Sequence, residues 1–304
     1  MKKSNKFIVK NLSNKFPTKD ITEDDKKNKL MLSTAKKPIT VDIGNGIIFG
    51  GKKIPIIAGP NGVESKKLML SVGKFLKKNG VNILRAHAYK PLTFPYRSKQ
   101  YKDTQEEGME WVDIAKKEFK LKIVTEVTEI QYVDRIAETA DILQIGSRNM
   151  QNLELLKEVA KIQKPIILKR HFGASLRDFL GAAEHILIEG NKKLILCERG
   201  ISIPHTHRAT SRYAIDLQVV PAAKEVTHLP IVVDPSHATF WRPWINSMSL
   251  AAVAAGADGI MLEVHPDPKN SAVDPLQPID YQHFGELMKK MDIVAKSIYE
   301  KKVL

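Results

Sequence analysis

The chain holds one cysteine, Cys197, in 304 residues, which excludes an internal disulfide framework and suits a reducing compartment. It lacks any run near the roughly 18 uninterrupted apolar residues of a membrane span. The lysine-rich N-terminus has no apolar segment of the kind a secretory signal carries. Aromatic residues are few, at 7%, and little interleaved with the basic ones, which argues against a nucleic-acid track despite a formal charge of +14. The scarce sign of charge is negative, with 34 Asp and Glu against 48 Lys and Arg. Most of the excess is lysine scattered over helical faces and the N-terminal arm, where water solvates it. A glycine-rich dinucleotide turn is also missing, so no nucleotide or organic cofactor is expected. These absences leave a cytoplasmic globular protein with neither membrane nor nucleic acid as partner.

What is present is regular. Residues 1–37 form a Lys-, Asn- and Ser-rich arm, expected to be flexible, and 38–304 read as a single domain. "ITVDIGNGIIFGG" has strand-like residues on both sides of Gly-Asn-Gly, a hairpin signal. Eight β-rich runs follow: "IPIIAG" (54–59), "VNILRA" (81–86), "KIVTEV" (122–127), "ILQIG" (142–146), "PIILKR" (165–170), "KLILCER" (193–199), "LPIVVDPS" (229–236) and "DGIMLEV" (258–264). Helix-like stretches separate them, one opening with Ser175 in N-cap position. Eight such repeats predict an α/β fold, a (β/α)8 TIM barrel behind an N-terminal β-hairpin and a basic arm. A doubly wound open sheet is the alternative.

In a barrel the C-terminal strand ends form the active-site face. There the sequence puts Asn61, Arg85, Lys90, Glu126, Arg148, Lys169, Arg170, Glu198, Arg199, Asp234, His237, Glu263 and His265. Charges at the ends of buried strands are costly unless paired with each other or with a ligand. Arg85, Lys90, Arg148, Lys169 and Arg199 on one rim suit one or two phosphates, or a phosphate and a carboxylate. His237, Glu263 and Asp274 could hold a divalent ion of the Mn, Fe, Zn or Co class. The same atoms could instead form a hydrogen-bonded network.

With these residues assembled, the chain resembles the 3-deoxy-7-phosphoheptulonate (DAHP) synthases, in the family shared with 3-deoxy-manno-octulosonate 8-phosphate synthase. The resemblance runs from about residue 40 to the C-terminus. It is carried by "IAGPNGVES", "LRAHAYKP", "EEGMEWV", "VTEV", "DILQIGSRNMQN", "PIILKR", "ILCERGI", "PIVVDPSHAT", "GADGIMLEVHPDP" and "AVD". It is greatest to the short bacterial DAHP synthases and implies condensation of phosphoenolpyruvate (PEP) with an aldose phosphate, such as erythrose 4-phosphate, releasing phosphate. By the same resemblance, Arg85, Lys90, Arg148, Lys169 and Arg199 hold PEP, and Lys90 transfers a proton. His237 and Asp274 are the other catalytic candidates, and His237, Glu263 and Asp274 match three of four metal ligands. The family habit also implies a homodimer or homotetramer.

The departures cluster on the same rim. Asn61 stands where the family has its metal-binding cysteine, so a metal is expected to be absent or weakly bound. The family's "KPRTSP", whose arginine holds the aldose phosphate, is "KPLTFP" here, with Leu92, Thr93 and Phe94. His87 and His171 replace glycines, and Arg212 survives in an altered "TSRYAIDL". Asn61, His87, Leu92, Thr93, His171 and Arg212 are therefore expected to line a divergent acceptor pocket. An octulosonate synthase-like activity, or a PEP-binding paralogue without turnover, remains the alternative.

Overall fold

The computed structural model describes residues 32–34, 37–90, 103–204 and 213–304. Most of the arm, Leu92, Thr93, Phe94 and Arg212 lie outside the described residues. So do His205 and His207.

Eight parallel strands close into a barrel in chain order. They are β1 (Ile56–Gly59), β2 (Ile83–Arg85), β3 (Lys122–Val127), β4 (Ile142–Ile145), β5 (Ile166–Lys169), β6 (Leu194–Glu198), β7 (Ile231–Val233) and β8 (Gly259–Glu263). β8 pairs with β1, Glu263 opposite Gly59, which excludes the open-sheet alternative. The connecting helices are α1 (Lys66–Lys78), α2 (Gln105–Phe119), α3 (Val133–Thr139), α4 (Leu153–Lys161), α5 (Leu176–Ile188) and α6 (Val219–Val226). The short α7 (Pro235–Thr239), α8 (Arg242–Ala254) and α9 (Tyr281–Tyr299) complete the outer ring. Ser175 does cap α5: its side chain accepts from the Asp178 N–H and Asp178 answers in a capping box. None of the described helices is long and apolar enough to cross a membrane.

The strand pleat sorts the core into two layers, because successive side chains point to opposite faces. Ile56 and Ala58 of β1, Leu84 of β2, and Leu194 and Leu196 of β6 pack outward in the shell shared with the helices. Ile57, Ile83, Val124, Ile142, Ile167, Ile195, Val232 and Met261 form a separate cluster within the barrel. The expected hairpin is present, Val41–Asp42 pairing antiparallel with Ile48–Phe49. Its Val41, Ile43 and Phe49 join the inner cluster, so it plugs the end of the barrel away from the site. Fully burying Phe49 is worth about 1.5–3 kcal/mol, enough to hold a two-residue ribbon in place.

Candidate active site

On six of the eight strands the inward parity carries a polar residue two positions after the apolar plug residue. Ile83 is followed by Arg85, Val124 by Glu126, Ile142 by Gln144, Ile167 by Lys169, Val232 by Asp234, and Met261 by Glu263. The pleat thus stacks a charged layer directly on the apolar one. Two glycines make room for it. Gly59 (φ +149) passes so close to β2 that an added Cβ would lie 2.2 Å from the Arg85 carbonyl oxygen. At Gly146 a Cβ would lie 1.9 Å from Glu126 Oε1.

The charged layer is one connected network. Lys169 Nζ donates to Asp234 Oδ2 at 2.6 Å, and the same oxygen lies 2.7 Å from His237 Nδ1. His237 Nε2 is 3.0 Å from Glu263 Oε1, which also lies 3.1 Å from Arg85 Nη1. Arg85 Nη2 donates to Asn61 Oδ1 at 3.3 Å, and Asn61 Nδ2 donates to Asp274 Oδ2 at 3.1 Å. A second branch joins Arg85 Nη2 to His87 Nε2 at 2.9 Å. Beside it, Lys90 Nζ donates to Glu126 Oε2 at 2.9 Å. Arg148, exposed on the turn after β4, adds its positive field to Glu126. Arg199 is buried, with its guanidinium 4.2 Å above the Tyr213 ring.

The electrostatics follow from burial and these partners. Burial alone would raise the Glu126 carboxyl, but Lys90, then Lys169 and Arg148, pull it down to about 2. Burial opposes ionisation of Glu263 too, and His237 with Arg85 overcomes it, again to about 2. Asp234 falls well below its usual value against the same burial penalty, through His237 and Lys169. Burial, then the positive charges of Arg85, Lys90, Lys169 and His237, push His87 far down.

These depressed carboxylates predict an acid limit to stability. A folded pKa below the unfolded one contributes stability above the unfolded value, and that stability is lost as pH falls through the folded value. Glu126 and Glu263 move from 4.5 to about 2, so the chain should lose on the order of a few kcal/mol between those pH values. Thermal melts followed by circular dichroism should fall gently below pH 6.5, where the unfolded chain protonates His87 and the folded chain does not, and steeply below about pH 4.5. A melting temperature unchanged at pH 3 would refute this account.

Several expected residues fall away from the network. Arg170 Nη1 bonds Glu198 at 3.1 Å and Asp216 at 2.7 Å, a strut on the outward parity of β5 and β6. His265 accepts the Asp267 N–H and faces Glu64, tying down the loop after β8. His171, at the β5 end, accepts the Gly173 N–H and packs on Phe172 at 4.0 Å between ring centroids. Phe172 leads on to Tyr213 at 5.4 Å, so this rim carries an aromatic wall ending in Arg199. Gln144, 3.5 Å from Glu126 through Nε2, is a member of the layer that a search for charged strand ends misses. Counting two residues on from each inner apolar residue finds it.

The donor set does not fit a resident divalent ion. The Asn61 amide turns its N–H2 toward Asp274 and its oxygen toward Arg85, and the Arg85 cation lies on the carboxylate that a metal would need. Among the described residues no group of three His, Cys, Asp or Glu side chains is placed to hold a metal.

Comparison with known proteins agrees with this barrel. The model of the DAHP synthetase I family matches residues 29–298. A phospho-2-dehydro-3-deoxyheptonate aldolase of Thermotoga maritima is 39% identical over 258 residues, covering 85% of this chain and 74% of that protein. A 2-dehydro-3-deoxyphosphooctonate aldolase of Desulfotalea psychrophila is 25% identical over 285 residues, covering 88% of this chain and all of that protein. The crystal structure of the Thermotoga DAHP synthase superposes with a TM-score of 0.82, covering 88% of this chain and 76% of that one. A truncated form of the Thermotoga 3-deoxy-D-arabino-heptulosonate 7-phosphate synthase gives a TM-score of 0.80 at 37% identity, covering 88% and 96%. With a family model spanning most of its length and a relative this similar, the chain belongs to the DAHP synthetase I family.

Proposed function

We propose that the chain condenses PEP with an aldose phosphate, as a 3-deoxy-ulosonate-phosphate synthase of the DAHP type. The observation that carries this reading is the meeting of Arg85, Lys90 and Lys169 in one buried layer, with Arg148 and Arg199 at its rim. Such a cluster suits the phosphate and carboxylate of PEP. In the reaction C3 of PEP attacks the aldehyde carbon and water adds at C2. The aldehyde oxygen takes a proton from Lys90, and the tetrahedral intermediate then expels phosphate. His237, with a carboxylate oxygen on each ring nitrogen, serves as a cation that orders the layer, and the Asp274 carboxylate is the group that receives a proton from the added water in this reading. Positioning by fixed cations supplies most of the acceleration.

The reaction runs without a bound metal in this proposal, supported by the Arg85–Glu263 contact and by the amide at position 61. Leu92 in place of the family's arginine removes a charged contact to the acceptor phosphate, worth about 1.5–3 kcal/mol. The KM for erythrose 4-phosphate is therefore expected about 10- to 150-fold above that of relatives with the arginine. The test is phosphate release from PEP with four- and five-carbon aldose phosphates and unphosphorylated aldehydes, with and without chelator. Release that needs both substrates and survives chelation is the expected result. No release with any aldehyde would overturn the enzyme reading. Complete, metal-reversible loss on chelation would overturn the metal-free mechanism.

A further inference from the structure

His87 follows β2 at the inward parity, where the family pattern has glycine, and its ring is fully buried. Nδ1 lies 2.9 Å from the Glu126 backbone nitrogen and accepts that N–H. A main-chain amide can only donate, so Nδ1 keeps its lone pair, the ring is neutral, and its proton sits on Nε2. Nε2 in turn lies 2.9 Å from Arg85 Nη2, a nitrogen with protons to give and no lone pair to offer. Two donors face one another at hydrogen-bond distance, where both side chains are shut from solvent. Arg85 Nε is likewise buried with no aligned acceptor among the described residues.

We propose that His87 Nε2–H and Arg85 Nη2–H together form a two-donor seat for one anionic oxygen of PEP. His87 is then a residue of the PEP side of the site and not of the aldehyde pocket. The proposal rests on PEP being the substrate. An oxygen accepting from both nitrogens satisfies two buried donors at once, which neither can do for the other. The residue type fits the place. Arg85, Lys90, Lys169 and His237 all stand close enough to act on the ring. A further cation there would be repelled, and glycine would donate nothing from that position. A neutral imidazole adds a bond without adding charge. Seating the oxygen requires a side-chain adjustment of the kind common on ligand binding.

The test is PEP affinity and steady-state kinetics in two variants. His87→Phe keeps a ring and removes both nitrogens; it should raise the Kd and KM for PEP about 10- to 100-fold, with a smaller change in kcat. His87→Gln restores an N–H donor near the Nε2 position and should stay within about threefold of the unsubstituted enzyme. Pyruvate and inorganic phosphate, each titrated alone, tell which oxygen is seated, because His87→Phe should weaken one of them. Equal PEP affinity in His87→Phe and the unsubstituted chain overturns the inference while leaving the enzyme reading intact. Failure of the unsubstituted chain to bind PEP overturns both. Should His87→Phe not fold, nitrogen-15 spectra of the unsubstituted protein decide. An Nε2–H tautomer whose signal moves on adding PEP supports the seat; an Nδ1–H tautomer, or an unmoved signal, overturns it.

Discussion

Replacing Lys90 by methionine is expected to lower kcat about 10²- to 10⁴-fold, the usual contribution of a positioned general acid. The Lys90 side chain is 12% exposed, and its ammonium is held by the Glu126 carboxylate at 2.9 Å. Its backbone N–H donates to Asp103 Oδ1 at 3.0 Å, fixing the chain just after β2. Glu126, held down to about 2, is ionised at neutral pH, so Lys90 has a standing counter-ion. Removing the cation alone also leaves a buried carboxylate without its main partner, a cost of up to about 3–5 kcal/mol. The stability loss has to be separated from the chemical one. The double variant Lys90→Met with Glu126→Gln removes both charges and should recover most of the stability in urea unfolding, yet none of the turnover. A kcat within about tenfold of the unsubstituted enzyme in either variant would remove Lys90 from the proton-transfer role.

Lys90 was readable as a candidate from its place after a strand; which basic neighbours face the same layer was a matter of parity. Lys169 and Arg170 are adjacent, both basic and both at the end of β5. One residue of pleat sends Lys169 inward to Asp234 and Arg170 outward to Glu198. The sequence alone treats them alike unless each strand's inner face is fixed by its apolar residues. Once Ile167 and Ile195 are known to lie inside, Lys169 and Arg199 follow as inner residues, and Arg170 and Glu198 as a strut. The barrel itself was legible because eight apolar runs with helical spacers admit few closures. Less legible was the role of Arg85. Its motif suggests a ligand for PEP, but only the folded chain brings its guanidinium to 3.1 Å from Glu263, across the barrel seam from β8. Asp274 was harder still, since it sits in a loop and reaches the network through the amide of Asn61.

Changing Arg85 to methionine should be the most destabilising single substitution in the charged layer, by about 3–5 kcal/mol. Both partners of its ion contact with Glu263 are wholly buried, so water cannot take over the abandoned charge. Glu263 would keep His237 at 3.0 Å and the neutral Gln277 side chain, and its carboxyl, now at about 2, should rise. Asn61 would lose the donor that orients its oxygen and keep its bond to Asp274. Adding Glu263→Gln removes the uncompensated charge, and the pair should show a coupling of about 0.5–3 kcal/mol in a double-mutant cycle. Independent, additive losses would mean that Arg85 and Glu263 do not sense each other, contrary to the geometry. The same cycle separates stability from binding. If Arg85 is also a PEP donor, the double variant regains stability and still fails to bind PEP, because glutamine replaces the charge that Arg85 neutralises but not the guanidinium that a ligand would meet. A double variant that binds PEP normally would make Arg85 a structural cation alone.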